Sequence, residues 1–277
     1  MVKEATIIKN SPRIKKARGE KNKARKIIRI SFLPSVFTIL NLFLGYMALL
    51  HVIKGNFLTA VYYTTASVIM DGFDGTIARL TKSESDFGFQ MDSLVDAVAF
   101  GLVPATLIYF WGFQSGFQEI GRIVGFGFLS AGVIRLARFN VLKEAHVVPA
   151  NIFIGLPIPM GAISIGSIVL ITRRGELTNP TAIWLFSAYC IIISLMMISN
   201  IKYRTIKKTL PLRNSLIMLL ILAIIIGFTI IYPTYVIPIL NCLYVLSPLG
   251  FFVARKIGKA NGPSEKISDS STVKFES

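Results

Sequence analysis

The chain has 277 residues, of which 53% are hydrophobic and only 16% charged, with 30 Lys and Arg against 14 Asp and Glu. So apolar a composition is foreign to water-soluble domains, and the net charge of +16 is gathered in blocks between long apolar runs. A soluble nucleic-acid binder is thereby excluded, and a protein with many membrane crossings is expected.

The leader, residues 1–31, holds eleven basic residues, Arg13, Lys15, Lys16 and Arg18 among them. It is too long and too basic for a cleavable signal peptide, and the apolar run behind it is long enough to span. It reads as a cytoplasmic topology signal that also suits anionic lipid headgroups. Eight apolar runs follow, near 33–53, 57–80, 88–112, 120–141, 154–172, 180–199, 214–232 and 235–254. Each approaches the ~20 residues that cross a bilayer's hydrocarbon core. The expected fold is an all-α integral membrane bundle of about eight transmembrane helices, a single membrane domain over 32–255 followed by a polar tail over 256–277.

Lys202, Arg204, Lys207, Lys208 and Arg213 fill the link between the sixth and seventh runs, and Arg255, Lys256 and Lys259 follow the eighth. With eight crossings these groups share one side with the leader, so both termini are expected in the cytoplasm. Cys190 and Cys242 lie in apolar runs and read as small packing residues. Trp111, Trp184 and Tyr232 near run ends read as interfacial anchors. Gly127, Gly132, Gly161 and Gly166 read as close contacts between helices. His146, alone in a link, reads as solvated. Ionisable and amide groups concentrate in the first five runs, so chemistry is expected there and little from the last two.

The second and third runs carry Asp71-Gly72-Phe73-Asp74-Gly75-Thr76-Ile77-Ala78-Arg79 and, after eight residues, Gly88-Phe89-Gln90-Met91-Asp92-Ser93-Leu94-Val95-Asp96. A carboxylate at bilayer depth costs several kcal/mol, so four together demand cationic partners. Asp71 and Asp74 are three apart and Asp92 and Asp96 four apart, which puts each pair on one helical face. Two such helices would present four hard oxygen ligands to divalent cations such as Mg²⁺ or Mn²⁺. Gly72, Gly75, Ala78 and Gly88 leave room for a backbone or a ligand, and Arg79 returns near the Asp71 face, where it can pair with phosphate. Two metals and an arginine form a diphosphate clamp, and one carboxylate can double as base. The same acids could line a cation path or form structural ion pairs; burying so many pairs is costly, which weighs against the last.

This frame matches D-x2-D-G-x2-A-R-x8-G-x3-D-x3-D and so resembles the CDP-alcohol phosphotransferase family, whose members transfer a phosphatidyl group from a CDP-linked lipid to an alcohol and release CMP. The resemblance implies two metal ions: Asp71 and Asp92 bridging both, Asp74 on the first, and Asp96 on the second and acting as base on the acceptor hydroxyl. It implies CDP-lipid contacts at Gly75, Arg79, Ser85 and the segment Thr38 to Asn41, although Pro34-Ser35 replaces the family's common Pro-Asn. Phe100-Gly101-Leu102-Val103-Pro104-Ala105, Arg135-Leu136-Ala137-Arg138-Phe139-Asn140, Gly155-Leu156-Pro157-Ile158-Pro159 and Leu195-Met196-Met197-Ile198-Ser199 look like the phosphatidylserine synthase branch. The implied substrates are CDP-diacylglycerol and L-serine. Arg135, Arg138 and Asn140 are candidates for holding the acceptor carboxylate or a donor phosphate. A homodimer in the cell membrane, with the active site on the cytoplasmic side, is part of the same expectation. Two alternatives stand beside it: a sister enzyme using glycerol phosphate, inositol phosphate or an ether-lipid donor, and a cation transporter built on the same aspartates.

Overall fold

A computed structural model of the chain describes residues 32–80, 86–113, 117–145, 152–172, 177–204, 227–229 and 231–260. Its elements are α1 (Phe32–Ile53), α2 (Phe57–Leu80), α3 (Asp86–Asp96), a π-helical turn (Ala97–Leu102), α4 (Val103–Gly112), α5 (Gln118–Glu144), β1 (Ile152–Ile154), α6 (Ile158–Thr172), α7 (Pro180–Ile198), β2 (Lys202–Arg204) and α8 (Pro233–Ala260). The chain is an all-α polytopic membrane bundle. Seven of the eight expected runs coincide with these helices, and the seventh lies almost wholly outside the described residues. Val36–Ile53, Phe87–Gly112, Gln118–Lys143 and Pro180–Ile198 are long and apolar enough to cross a membrane, with Ile158–Thr172 a shorter apolar helix. α2 is equally long, but its aspartates, glycines and threonines lower its hydropathy.

Helices already in lipid gain nothing further from leaving water, so they associate through close packing at small residues. α1 lies along α2, α5 packs on α4 and α7, and α8 packs on α6. A Cβ added at Gly45 would stand 2.8 Å from Cβ of Ala99 in the π-helical turn, and one at Gly125 would stand 2.8 Å from the Ala105 carbonyl oxygen. Gly132, Gly161 and Gly166 likewise sit against Ile158, Met197 and Val61. Gly127 does not: it is exposed, with nothing among the described residues within 4 Å of a Cβ placed there.

Two further expectations are corrected by packing. Trp111 is no interfacial anchor but is fully buried, edge-on to Phe186 at 5.1 Å, because Phe113 and Phe186 supply an aromatic nest at the end of α4. Trp184 and Tyr232 are exposed, as anchors should be. Cys190 is buried, whereas Cys242 faces outward.

A two-stranded ribbon, which no local pattern announces, closes one end of the bundle. β1 and β2 pair antiparallel with Phe153 opposite Tyr203. The pairing extends through Gly155 N–H to the Ile201 carbonyl at 2.8 Å and Leu156 N–H to the Met196 carbonyl at 3.0 Å. Gly155 adopts φ +79°, a left-handed conformation that glycine alone takes without strain, and a Cβ there would overlap the Met197 carbonyl.

Candidate active site

Asp71 sits two-thirds of the way along α2, and Asp92 and Asp96 occupy consecutive turns of α3. Their side chains converge: one carboxylate oxygen from each lies within 4.8 Å of the other two, with Asp96 buried and the others half-buried. Three anionic oxygens this close suit a hard divalent cation and repel one another without it. Asp74 follows Asp71 by one helical turn on the same face of α2, though its side chain, like those of Gly75 and Arg79, lies outside the described residues. Ser85 and His146 lie outside them altogether. A Cβ at Gly72 would meet nothing within 4 Å among the described residues, so none of the described helices is seated on that glycine.

The segment implied for the nucleotide stands beside this cluster. Thr38 and Asn41 are buried on α1. The Ser67 hydroxyl, four residues before Asp71, meets Asn41 at its side-chain Oδ1 and at its main-chain carbonyl, the latter 3.2 Å away. This contact ties α1 to the turn of α2 that leads into the acids. The Asn41 amide nitrogen is buried and has no hydrogen-bond partner among the described residues, which leaves a donor for a ligand. Ser67 was missed from sequence, yet its position on the Asp71 face was legible.

Arg135, Arg138 and Asn140 share the last turns of α5 but do three different things. Arg135 is 6% exposed, and its Nε has no hydrogen-bond partner among the described residues. Its guanidinium lies 5.2 Å above the Phe139 ring, and its strongest charge neighbour is Asp96. A buried cation beside the acids, with donor capacity to spare, is equipped to take an anionic group of a substrate.

Arg138 is occupied. It donates to the carbonyls of Ile198 (2.6 Å), Ile154 (3.0 Å) and Ser199 (3.0 Å), with Met197 O and Asn200 Oδ1 each at 3.4 Å. It thus caps the C-terminus of α7, where orphan carbonyls and the helix dipole favour a cation. The three segments around Arg138, Gly155 and Leu195–Ser199, scattered in sequence, meet at this one guanidinium.

Asn140 is bound to Ser93, with its amide nitrogen donating at 3.0 Å and the Ser93 hydroxyl 3.2 Å from its Oδ1.

The last helix contributes more than expected. Tyr244 of α8 is a charge neighbour of Arg135 and stacks on Tyr203 of β2, ring centres 5.5 Å apart. Burial pushes the Tyr203 phenol up to about 12, so it stays neutral at physiological pH. Asn241 donates to Ser164 Oγ at 2.8 Å and joins α8 to α6. Tyrosine and asparagine in an otherwise apolar run were the available signal.

Comparison with known proteins addresses the family. Residues 31–246 match the profile of CDP-alcohol phosphatidyltransferase. The chain is 33% identical over 214 residues to the CDP-diacylglycerol–serine O-phosphatidyltransferase of Helicobacter pylori, covering 77% of this chain and 87% of that one. The enzyme of the same name from Methanocaldococcus jannaschii is 40% identical over 179 residues, 65% of this chain and 75% of its own length. The archaetidylserine synthase of Methanothermobacter thermautotrophicus is 36% identical over 182 residues, 65% of this chain and 72% of its own. Residues 31–246 span the acidic cluster, the buried segment of α1 and the Arg135 region, and the chain belongs to the CDP-alcohol phosphatidyltransferase family.

Proposed function

We propose that the chain is a CDP-diacylglycerol–serine O-phosphatidyltransferase that forms phosphatidylserine and CMP. The observation that carries this reading is the convergence of Asp71, Asp92 and Asp96 beside a buried Arg135. Serine-transferring relatives match most of the chain's length. Asp71, Asp74, Asp92 and Asp96 would hold two divalent ions, Mg²⁺ or Mn²⁺. Such ions, when bound, neutralise diphosphate charge and stabilise the leaving phosphate.

The residues of the chain do the rest. Thr38, Asn41, Gly75, Arg79 and Ser85 orient the CDP moiety, with the Asn41 amide nitrogen, unpaired among the described residues, as one donor. Arg135 draws in the serine carboxylate and holds its hydroxyl toward Asp96. The hydroxyl oxygen attacks the phosphatidyl phosphorus as Asp96 takes its proton, the new O–P bond forms, and the P–O bond to CMP breaks. Arg138 and Asn140 hold the frame instead of the substrate.

Lys202 of β2 lies at the end of the bundle that Arg138 joins to the site. The basic blocks at 202–213 and 255–259 support a cytoplasmic site, the side that basic links favour. A homodimer belongs to the same reading, and the mass of the detergent-solubilised protein tests it.

The test of the reaction is CMP release by the purified protein in detergent from CDP-diacylglycerol or an ether-linked CDP-lipid. L-serine, glycerol phosphate and inositol phosphate are offered in turn, and the lipid product is identified. Phosphatidylserine from the diacyl donor is expected, with EDTA stopping the reaction. Turnover with another alcohol and none with serine would overturn the acceptor assignment; cation flux without CMP would favour a transporter.

Asp96→Asn is expected to lower kcat by about 10²–10⁴-fold, the range a general base contributes. CDP-lipid affinity should stay within a few-fold of the parent. Equal loss of binding and turnover would count against the base role.

A further inference from the structure

Asp92 and Asp96 reach Asp71 only if α3 is turned correctly about its own axis, and a rotation of one residue's worth, 100°, would aim them elsewhere. Backbone packing between the α3–α4 rod and α5 lies beyond Asp96, along the π-helical turn and α4. At the acidic turns themselves the contact is made by side chains. Ser93 lies between the two aspartates and exchanges hydrogen bonds with Asn140 at 3.0 and 3.2 Å. One turn earlier Phe89 meets Phe139 with ring centres 6.4 Å apart, and Lys143 places its ammonium 3.7 Å from the centre of the Phe89 ring. Phe139, Asn140 and Lys143 therefore grip the Phe89–Ser93 face of α3. Of these contacts only the amide–hydroxyl pair is directional. Ring contacts tolerate sliding, and a lysine over a ring tolerates more. The Ser93 hydroxyl also lies 3.3 Å from the Phe89 carbonyl one turn back on its own helix, but that bond says nothing of how α3 is turned. Asn140, by contrast, both donates to the hydroxyl and offers it an acceptor from another helix.

We propose that Asn140 is a positioning residue: through its paired hydrogen bonds with Ser93 it fixes the rotation of α3 and so sets Asp92 and Asp96 against Asp71 for divalent-cation binding. The proposal rests on the metal-dependent reading above and gives Asn140 a task apart from acceptor binding.

The experiment is Mn²⁺ binding to the full-length protein in detergent with no substrate present, followed by the electron paramagnetic resonance signal of the free ion. Asn140→Ala and Ser93→Ala are each expected to weaken binding by roughly 10–100-fold, as removal of groups that orient metal ligands generally does. The exchanged pair Ser93→Asn with Asn140→Ser restores both partners and is expected to recover affinity to within a few-fold. This recovery is something a merely disordered helix end would not show.

Should Asn140→Ala not fold, Ser93→Ala, which removes one hydroxyl, carries the test alone. Parental Mn²⁺ affinity in Asn140→Ala together with a raised KM for the acceptor alcohol would overturn the proposal and return Asn140 to the substrate. Failure of the exchanged pair to recover would also overturn it. If the parent protein itself bound no Mn²⁺, the metal reading would fall, an outcome distinct from a defect confined to these variants.

Discussion

Asp71→Asn is expected to lower turnover by about 10³-fold or more and to abolish Mn²⁺ binding, while the protein still folds. One carboxylate oxygen from each of Asp71, Asp92 and Asp96 lies within 4.8 Å of the other two, so on the proposed reading each is a ligand to the same bound cations. An amide keeps the shape and loses the charge and the stronger oxygen donor. Transition-state charge stabilisation by a bound ion is worth several kcal/mol, and ~4 kcal/mol corresponds to about 10³ in rate. The amide loses repulsion from Asp92 and Asp96 and attraction to Arg135 together, so melting temperature without metal should change little. Added Mg²⁺ or Mn²⁺ should raise the melting temperature of the parent and not of the variant. Retained metal-dependent activity in Asp71→Asn would contradict the arrangement.

The second large effect belongs to a residue outside the chemistry. Arg138→Ala is expected to destabilise the protein by about 2–3 kcal/mol, a drop of roughly 5–10 °C in melting temperature. Its guanidinium serves carbonyls at the end of α7 and at the end of β1, and truncation leaves those acceptors without their donor. Arg138→Lys should recover only part of the loss, because an ammonium cannot reproduce the planar fork that reaches both segments. Gly155→Ala should behave similarly, since its Cβ would collide with Met197 O and stand 2.8 Å from Arg138 Nη2. Arg122 is a fair control: it pairs with Glu119 at 2.6 Å on the surface, and Arg122→Ala should change stability by less than about 1 kcal/mol. An Arg138→Ala protein as stable as its parent would show that the clamp holds nothing together.

Helix positions and the acidic face were legible because each is local. A span announces itself by its own run of apolar residues, and Asp92 and Asp96 share a face because both lie on α3. The grouping of Arg135, Arg138 and Asn140 was legible for the same reason, but their division of labour was not. What separates them is what stands opposite: Asp96 and Tyr244 near Arg135, the carbonyls of Ile154 and Ile198–Ser199 against Arg138, and Ser93 against Asn140. Those partners come from other elements, 16 to 61 residues away for Arg138 and 47 for Asn140. The ribbon was hidden for a related reason, since three-residue strands 50 positions apart carry no periodicity. The π-helical turn after Asp96 has no sequence mark either; such turns recur at functional sites, and here the turn carries Ala99 against Gly45. Trp111 was misplaced because tryptophan's preference for the interface yields where Phe113 and Phe186 can enclose the ring.

The most direct measurement is an anomalous difference map from crystals of the full-length protein soaked in Mn²⁺. Peaks bounded by Asp71, Asp92 and Asp96, within coordination distance of their carboxylate oxygens, are the result predicted. Manganese bound elsewhere while these three side chains stay empty or splayed would contradict the metal-dependent transferase.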